Sequence, residues 1–230
     1  MIDLTGAILQ PRTADMTASE GSIRGYFPAT TMPDCDWWRE LWPDPHQVLV
    51  VLGIGAGMDV IDLCCGDGLF TAPLTRLARR VSALDLDPHM LERAREKVRA
   101  RGSINCEFIE ADAYDIARLA PWRADAVLMA NTFHGVPDKR RLVKAVAAVL
   151  KPCGRFVVVN WHRRQREETT VLGKPRGPRT EMRMAPEELR AVIEPAGLGL
   201  KLVIELPPYH YGAIFERVGG QATSLASPPT

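Results

Sequence analysis

Asp62-Leu63-Cys64-Cys65-Gly66-Asp67-Gly68 closes an apolar, β-branched run, Met58-Asp59-Val60-Ile61-Asp62-Leu63, and stands just before a helix-forming stretch that begins near Phe70. The run has the length and composition of a buried strand. Glycines that follow such a strand and open a helix lie where backbone must approach a ligand without a Cβ in the way. A second glycine cluster, Gly53, Gly55 and Gly57, precedes the strand instead and reads first as a helix-to-strand turn.

Outward from this loop the pattern alternates. A helix is expected from about Phe70 to Arg80, a strand over Val81 to Asp85, a helix from Pro88 to about Arg101 and a strand over Cys106 to Ile109. There follow a short helix near Ile116, a strand over Ala126 to Ala130, a helix over Lys139 to Leu150, a strand over Arg155 to Val159 and a helix from Pro186 to about Ala196. Lys201 to Leu206 and Tyr211 to Val218 close the series as a hairpin joined by Pro207-Pro208-Tyr209-His210. Strands and helices taking turns predict an α/β, Rossmann-like, seven-stranded, mostly parallel sheet with helices on both faces and a C-terminal antiparallel hairpin.

With 230 residues and 46% hydrophobic content, the chain can bury one good core, so a single domain is expected over 48–218. Residues 1–47 read as an N-terminal extension whose short amphipathic helix, Asp34 to Leu41, carries Trp37 and Trp38; residues 219–230 read as a disordered tail. A net charge of +1 supplies no global field that would draw the protein to nucleic acid or a membrane. The absence of a long apolar run and of a secretory h-region leads to the expectation of a cytoplasmic protein without a membrane span. Five cysteines, odd in number and without a CxxC pair, fit reduced thiols acting as small apolar residues, with no metal site expected.

A nucleotide-type cofactor needs acceptors for its ribose hydroxyls, and Asp85 stands at the end of the second strand, nineteen residues after Gly66. The third strand ends in Glu110-Ala111-Asp112-Ala113, where a carboxylate can accept from an adenine amino group while Ala113 leaves room for the ring. A single aspartate at a strand end is more often a turn residue; three in successive strand ends are harder to dismiss.

Four segments in order, Asp62-Leu63-Cys64-Cys65-Gly66-Asp67-Gly68, Asp85-Leu86-Asp87-Pro88-His89-Met90-Leu91, Asp112-Ala113 and Leu150-Lys151-Pro152-Cys153-Gly154, resemble the ordered motifs of class I S-adenosylmethionine-dependent methyltransferases, including their type 11 and type 25 small-molecule members. The resemblance runs from about Met58 to Phe156. It implies that Asp62, Cys64, Gly66 and Gly68 surround the methionine part of the cofactor, Asp85 the ribose, Leu86 the adenine face and Asp112 with Ala113 the adenine edge. It also implies that Asn131 lies under the transferable methyl group. Cys64 and Cys153 depart from the pattern, since the family usually has glycine at both places.

Methyl transfer from a sulfonium is an in-line displacement in which positioning and exclusion of water supply most of the rate, so a base is needed only for an acceptor atom that carries a proton. His134, just beyond the fourth strand, is the candidate base; its alternative is a helix-capping or loop-packing histidine. His162, Tyr209 and His210 are candidates for substrate contact, as are Trp37 and Trp38, either as an aromatic lid or as core packing of the extension. The segment from Arg163 to Arg183 holds seven basic residues against three acidic ones and reads as a mobile basic flap suited to an anionic group, or as a solvated loop. Pro207-Pro208-Tyr209 stands too late in the chain for the motif of amino-directed nucleic-acid methyltransferases, so a small-molecule acceptor is expected, in a monomer or homodimer. The rival readings are a sensor or scaffold that binds S-adenosylmethionine or S-adenosylhomocysteine without transfer, and a nicotinamide-dependent oxidoreductase. The second lacks the full G-x-G-x-x-G.

Overall fold

The computed structural model describes residues 26–28 and 32–218; the expected tail, and most of the extension before the first helix, lie outside the described residues. Two short helices, α1 (Cys35–Leu41) and α2 (Pro45–Val51), precede β1 (Asp59–Leu63). The apolar stretch that begins at Val48 is helical because Asp44 caps it, accepting from Gln47 N–H at 3.0 Å, and Pro45 occupies its first turn. The helix ends in a Schellman turn, with Ile54 N–H bonded to the Leu49 carbonyl and Gly53 N–H to that of Val50, and Gly53 takes the left-handed conformation this turn requires (φ 75°).

From β1 the chain winds through α3 (Thr71–Leu77), β2 (Arg80–Asp85), α4 (Pro88–Arg99), β3 (Cys106–Glu110), α5 (Ile116–Leu119), β4 (Ala124–Ala130), α6 (Lys139–Val149) and β5 (Leu150–Trp161). A two-stranded hairpin, β6 (Thr170–Val171) and β7 (Lys174–Pro175), is followed by α7 (Pro186–Ile193), β8 (Leu198–Leu206) and β9 (His210–Arg217). The main sheet has the order β3-β2-β1-β4-β5-β9-β8, in which β9 alone runs antiparallel to both neighbours. The order reverses between β1 and β4, the topological switch point at whose carboxyl-end crevice α/β sheets bind ligands.

Buried clusters cover both faces of the sheet. Ile61, Leu63, Val127, Met129, Phe156 and Val158 pack toward α6 and α7, whereas Val60, Leu128, Val157 and Val159 pack toward α2, α3 and the tryptophans of α1. At the opposite edge from the crevice, the fully buried Asp59 accepts from Arg79, Arg80 and Lys151, and Lys151 also reaches Asp125 at 2.7 Å. Burial alone would raise the Asp59 carboxyl; its bonds to Arg80 and Lys151 outweigh that and hold it well below the usual carboxylate range. Leu150-Lys151-Pro152-Cys153-Gly154 is thus a structural motif: Lys151 closes this cluster, and a Cβ on Gly154 would come within 2.9 Å of the Lys151 carbonyl. Among the described residues no helix is long and apolar enough to cross a membrane.

The segment expected as a mobile flap is instead a folded strap. Arg183, 1% exposed, donates to the carbonyls of Pro178, Arg164 and Arg176 at 3.1 Å each and to Thr169 Oγ1 at 2.8 Å. One of the seven basic residues is therefore the pin that fixes the conformation of the others. Arg163 is drawn off to Glu188 on α7.

Candidate functional site

A cavity of about 1190 Å³ opens at the carboxyl ends of β1, β2, β3 and β4. Its floor is the loop after β1. Cys64 and Gly66 both take left-handed backbone conformations, φ 59° and 54°. This is the position at which glycine is usual, and cysteine is tolerated there with a small side chain and some strain. The loop is held by Cys65 N–H on the Leu84 carbonyl at 3.0 Å and by Gly66 N–H on Asp85 Oδ2 at 2.8 Å. Asp85 Oδ1 accepts from Asp87 N–H at 3.0 Å, so each carboxylate oxygen retains a lone pair for a ligand.

Asp62 is 2% exposed and its Oδ2 accepts from Thr71 Oγ1 at 2.6 Å. Burial pushes its carboxyl up to about 7, against the Thr71 hydrogen bond and with the help of the Asp85 charge. Burial likewise raises Asp85. The Cys64 and Cys65 thiols are driven well above their ordinary range, first by burial and then by nearby carboxylates, which makes them inert, compact apolar residues rather than nucleophiles. Asp112 caps the turn that follows β3, accepting from Tyr114 N–H at 2.9 Å, and with Leu86 and Ala113 lines the cavity. Asn131 has φ 59°, and neither its amide nitrogen nor its amide oxygen has a hydrogen-bond partner although both are buried. An orphaned buried amide facing a cavity is a group waiting for a ligand.

His134, 4% exposed, stands on the same wall with Nδ1 3.2 Å from Oδ1 of the fully buried Asn160. An amide oxygen only accepts, so this contact puts the proton on Nδ1 and leaves Nε2 as the basic nitrogen. Trp37 and Trp38 line the cavity from α1 and also pack edge to face with one another and with Trp42, so they serve as wall and as core at once. The strap contributes Arg166, Arg176, Arg179 and Glu181 to the wall.

Four expected site residues stand elsewhere. Gly68 does not line this cavity; a Cβ there would lie 2.8 Å from Ala94 of α4, so it is the close-packing glycine between loop and helix. His162 is turned to Glu205 at 2.8 Å and Tyr209 donates to the Thr170 carbonyl while stacking on Trp161. His210 is enclosed between Trp42 and Trp161, at ring distances of 4.5 and 4.1 Å, and burial pushes its imidazole well below its ordinary range. Tyr209 and His210 pack on the ring of Trp161, which itself lines the cavity, and His162 lies beside β8 and β9 against Tyr211. Trp161, Met182, Tyr26 and Phe27 also line the cavity, and Asn160 stands behind His134, although none of them was expected at the site. Only the strand end at Trp161 carried a local signal.

Residues 60–154 match the family model described as "Methyltransferase domain". The chain is similar to "23S rRNA (uracil(1939)-C(5))-methyltransferase RlmD" of Xylella fastidiosa (strain Temecula1 / ATCC 700964), 46% identical over 33% of this chain and 17% of that protein. It is also similar to "Ubiquinone biosynthesis O-methyltransferase" of Xanthomonas euvesicatoria pv. vesicatoria (strain 85-10), 31% identical over 47% of this chain and 45% of that protein. The chain thus spans less than half the length of these curated relatives. Among solved structures, a SAM-dependent methyltransferase from Aquifex aeolicus is 26% identical with a TM-score of 0.67, covering 78% of this chain and 93% of that one.

Proposed function

We propose that the chain is a class I S-adenosylmethionine-dependent methyltransferase, built around the methyltransferase domain matched at residues 60–154, and that it transfers a methyl group from that cofactor to a small-molecule acceptor inside the cavity. The observation that carries this reading is the convergence of Asp62, Asp85, Asp112 and the unpartnered Asn131 amide on one cavity at the switch point of the sheet. These groups fit the cofactor: a buried carboxyl raised by desolvation is stabilised by a ligand ammonium, and Asp85 has lone pairs left for two hydroxyl donors. S-adenosylmethionine, when bound, supplies a methyl group already activated on a sulfonium.

The protein's own share is binding, exclusion of water and handling of a proton. Asp62 and the Cys64–Gly66 backbone hold the amino acid end, Asp85 accepts from the ribose, Asp112 with Leu86 and Ala113 encloses the adenine, and Asn131 orients the reacting end. Trp37, Trp38 and the strap cover the mouth, which favours a compact acceptor over a polymer even though one similar protein is an rRNA methyltransferase. The volume exceeds the roughly 300–1000 Å³ that encloses a single drug-sized ligand, which leaves room for an acceptor beside the cofactor. His134 takes the proton of the acceptor atom on Nε2, and Asn160, by accepting from Nδ1–H, fixes the tautomer in which Nε2 is the basic nitrogen.

Calorimetry with S-adenosylmethionine, S-adenosylhomocysteine and NAD tests the cofactor, and a screen of small acceptors read as S-adenosylhomocysteine formation tests the transfer. Binding of the first two alone, with turnover of some acceptor, is expected. Binding of NAD in their place would overturn the cofactor assignment. Tight binding without turnover across many acceptors would favour a sensor.

A further inference from the structure

The charges around the cavity are segregated. Among the described residues, Asp62, Asp85, Asp87 and Asp112 gather at the strand ends, with Arg93 beside them paired to Asp67, whereas the strap side presents Arg166, Arg176 and Arg179 against Glu181. A small cationic cofactor accounts for the acidic half and leaves the basic half unexplained.

Arg176 is the sharpest feature of that half. Its guanidinium lies over the ring of Trp37, 5.1 Å from the centroid, and its buried Nε–H has no hydrogen-bond partner. Among the described residues, neither Arg176 nor Arg166 makes an ion pair, while Arg163 and Arg190 nearby are both paired with glutamates. The position is built rather than accidental. The Arg176 backbone is clamped by N–H to the Thr169 carbonyl at 2.9 Å and by its own carbonyl to Thr169 Oγ1 and Arg183. The next residue, Gly177, has φ 87°, and a Cβ there would come within 2.8 Å of the Trp161 ring, so the strap lies flat against that ring. Arg166 is anchored beside it, Nε donating to the Gly177 carbonyl at 3.1 Å. An arginine fixed at its backbone, with its guanidinium over an indole at a cavity wall and no ion pair among the described residues, offers the planar fork that matches a carboxylate.

We propose that the acceptor is a small molecule bearing a carboxylate, bound through the guanidinium of Arg176 with Arg166 adding charge, and with its carbon skeleton against Trp37 and Trp161. The inference rests on the methyltransferase reading of the same cavity. Arg176 and Arg166 select and orient the acceptor, and His134 remains the group that handles the proton.

The full chain saturated with S-adenosylhomocysteine is titrated calorimetrically with matched pairs of acid and amide: benzoate and benzamide, 4-hydroxybenzoate and 4-hydroxybenzamide, hexanoate and hexanamide. At least one acid binds about tenfold or more tightly than its amide, the discrimination expected of a charge-assisted fork. Arg176→Gln erases that preference while S-adenosylhomocysteine affinity stays the same; Arg176→Lys, which keeps the charge and loses the fork, retains part of it. Absence of acid binding, equal binding of acids and amides, or a preference that survives Arg176→Gln overturns the proposal. If Arg176→Gln no longer binds S-adenosylhomocysteine, the pairs on the unsubstituted chain and on Arg176→Lys decide. An unsubstituted chain that fails to bind S-adenosylhomocysteine refutes the methyltransferase reading itself, whereas binding without acid preference refutes this inference alone.

Discussion

Cofactor affinity is expected to depend on pH through Asp62. The buried carboxyl titrates near 7, so at pH 5.5 only about one free molecule in thirty has it ionised, whereas at pH 8 nearly all do. A ligand that places an ammonium beside Asp62 binds the ionised form, so the dissociation constant of S-adenosylhomocysteine weakens about thirtyfold, roughly 2 kcal/mol, between pH 8 and pH 5.5. Near pH 6 about one proton leaves per ligand bound, which calorimetry in buffers of different ionisation enthalpy measures directly. Asp62→Asn removes the pH slope and binds weakly throughout. The same residue acts on stability with the opposite sign. The folded chain keeps a proton that the unfolded chain releases near pH 4, so the contribution of this group to stability falls as pH rises from about 4 to 7. Asp62→Asn, which keeps the acceptor for Thr71, is accordingly more stable than the parent at pH 8, by up to about 4 kcal/mol, with little difference at pH 4. An affinity that is flat from pH 5.5 to 8, with no proton release, would refute the placement of Asp62 against a cation.

Asp85→Ala removes the acceptor for Gly66 and Asp87 N–H as well as for a ribose, and S-adenosylhomocysteine binding weakens by roughly 1.5–3 kcal/mol in calorimetry; unchanged affinity would exclude the ribose contact. His134→Ala lowers the rate of transfer to a hydroxyl or amine acceptor by about 10²-fold or more while leaving cofactor affinity intact, and full activity would return His134 to a packing role. Asn160→Ala, which frees the tautomer, also shifts the acidic limb of the pH–rate profile, a change that mere loosening of the core would not produce. Gly68→Ala forces a Cβ against Ala94 at a φ of 81°, and thermal unfolding is expected to report a loss of about 1–3 kcal/mol. A melting temperature equal to that of the parent would mean that α4 yields freely.

Much of the cavity wall at the ends of β1 to β4 was legible because local rules act there. A strand end, a glycine loop and an aspartate at the end of the neighbouring strand form a short-range grammar that points to Gly66, Asp85 and Asp112, while the family resemblance points to Asp62 and Asn131; all five line the cavity. Cys64 and Cys153, the two departures from glycine, both take the left-handed backbone conformation that glycine adopts most easily, φ 59° and 60°. The acceptor half obeyed no such rule. His162 and His210 stood in sequence as candidates for substrate contact, yet one is paired with Glu205 and the other is enclosed by two tryptophans.

Hydrophobic period, capping residues and turn glycines act within a few residues of one another, so the order of the seven main-sheet strands and the residue types at the ends of β1 to β4 could be read along the chain. Which side chains of the strap and of the last two strands face the cavity could not. A basic segment of twenty-one residues gives no local sign that Arg183 is its buried pin while Arg176 is left with an unpartnered donor. That choice is made by contacts between residues distant in the chain, where Gly177 meets Trp161 and Arg176 meets Trp37.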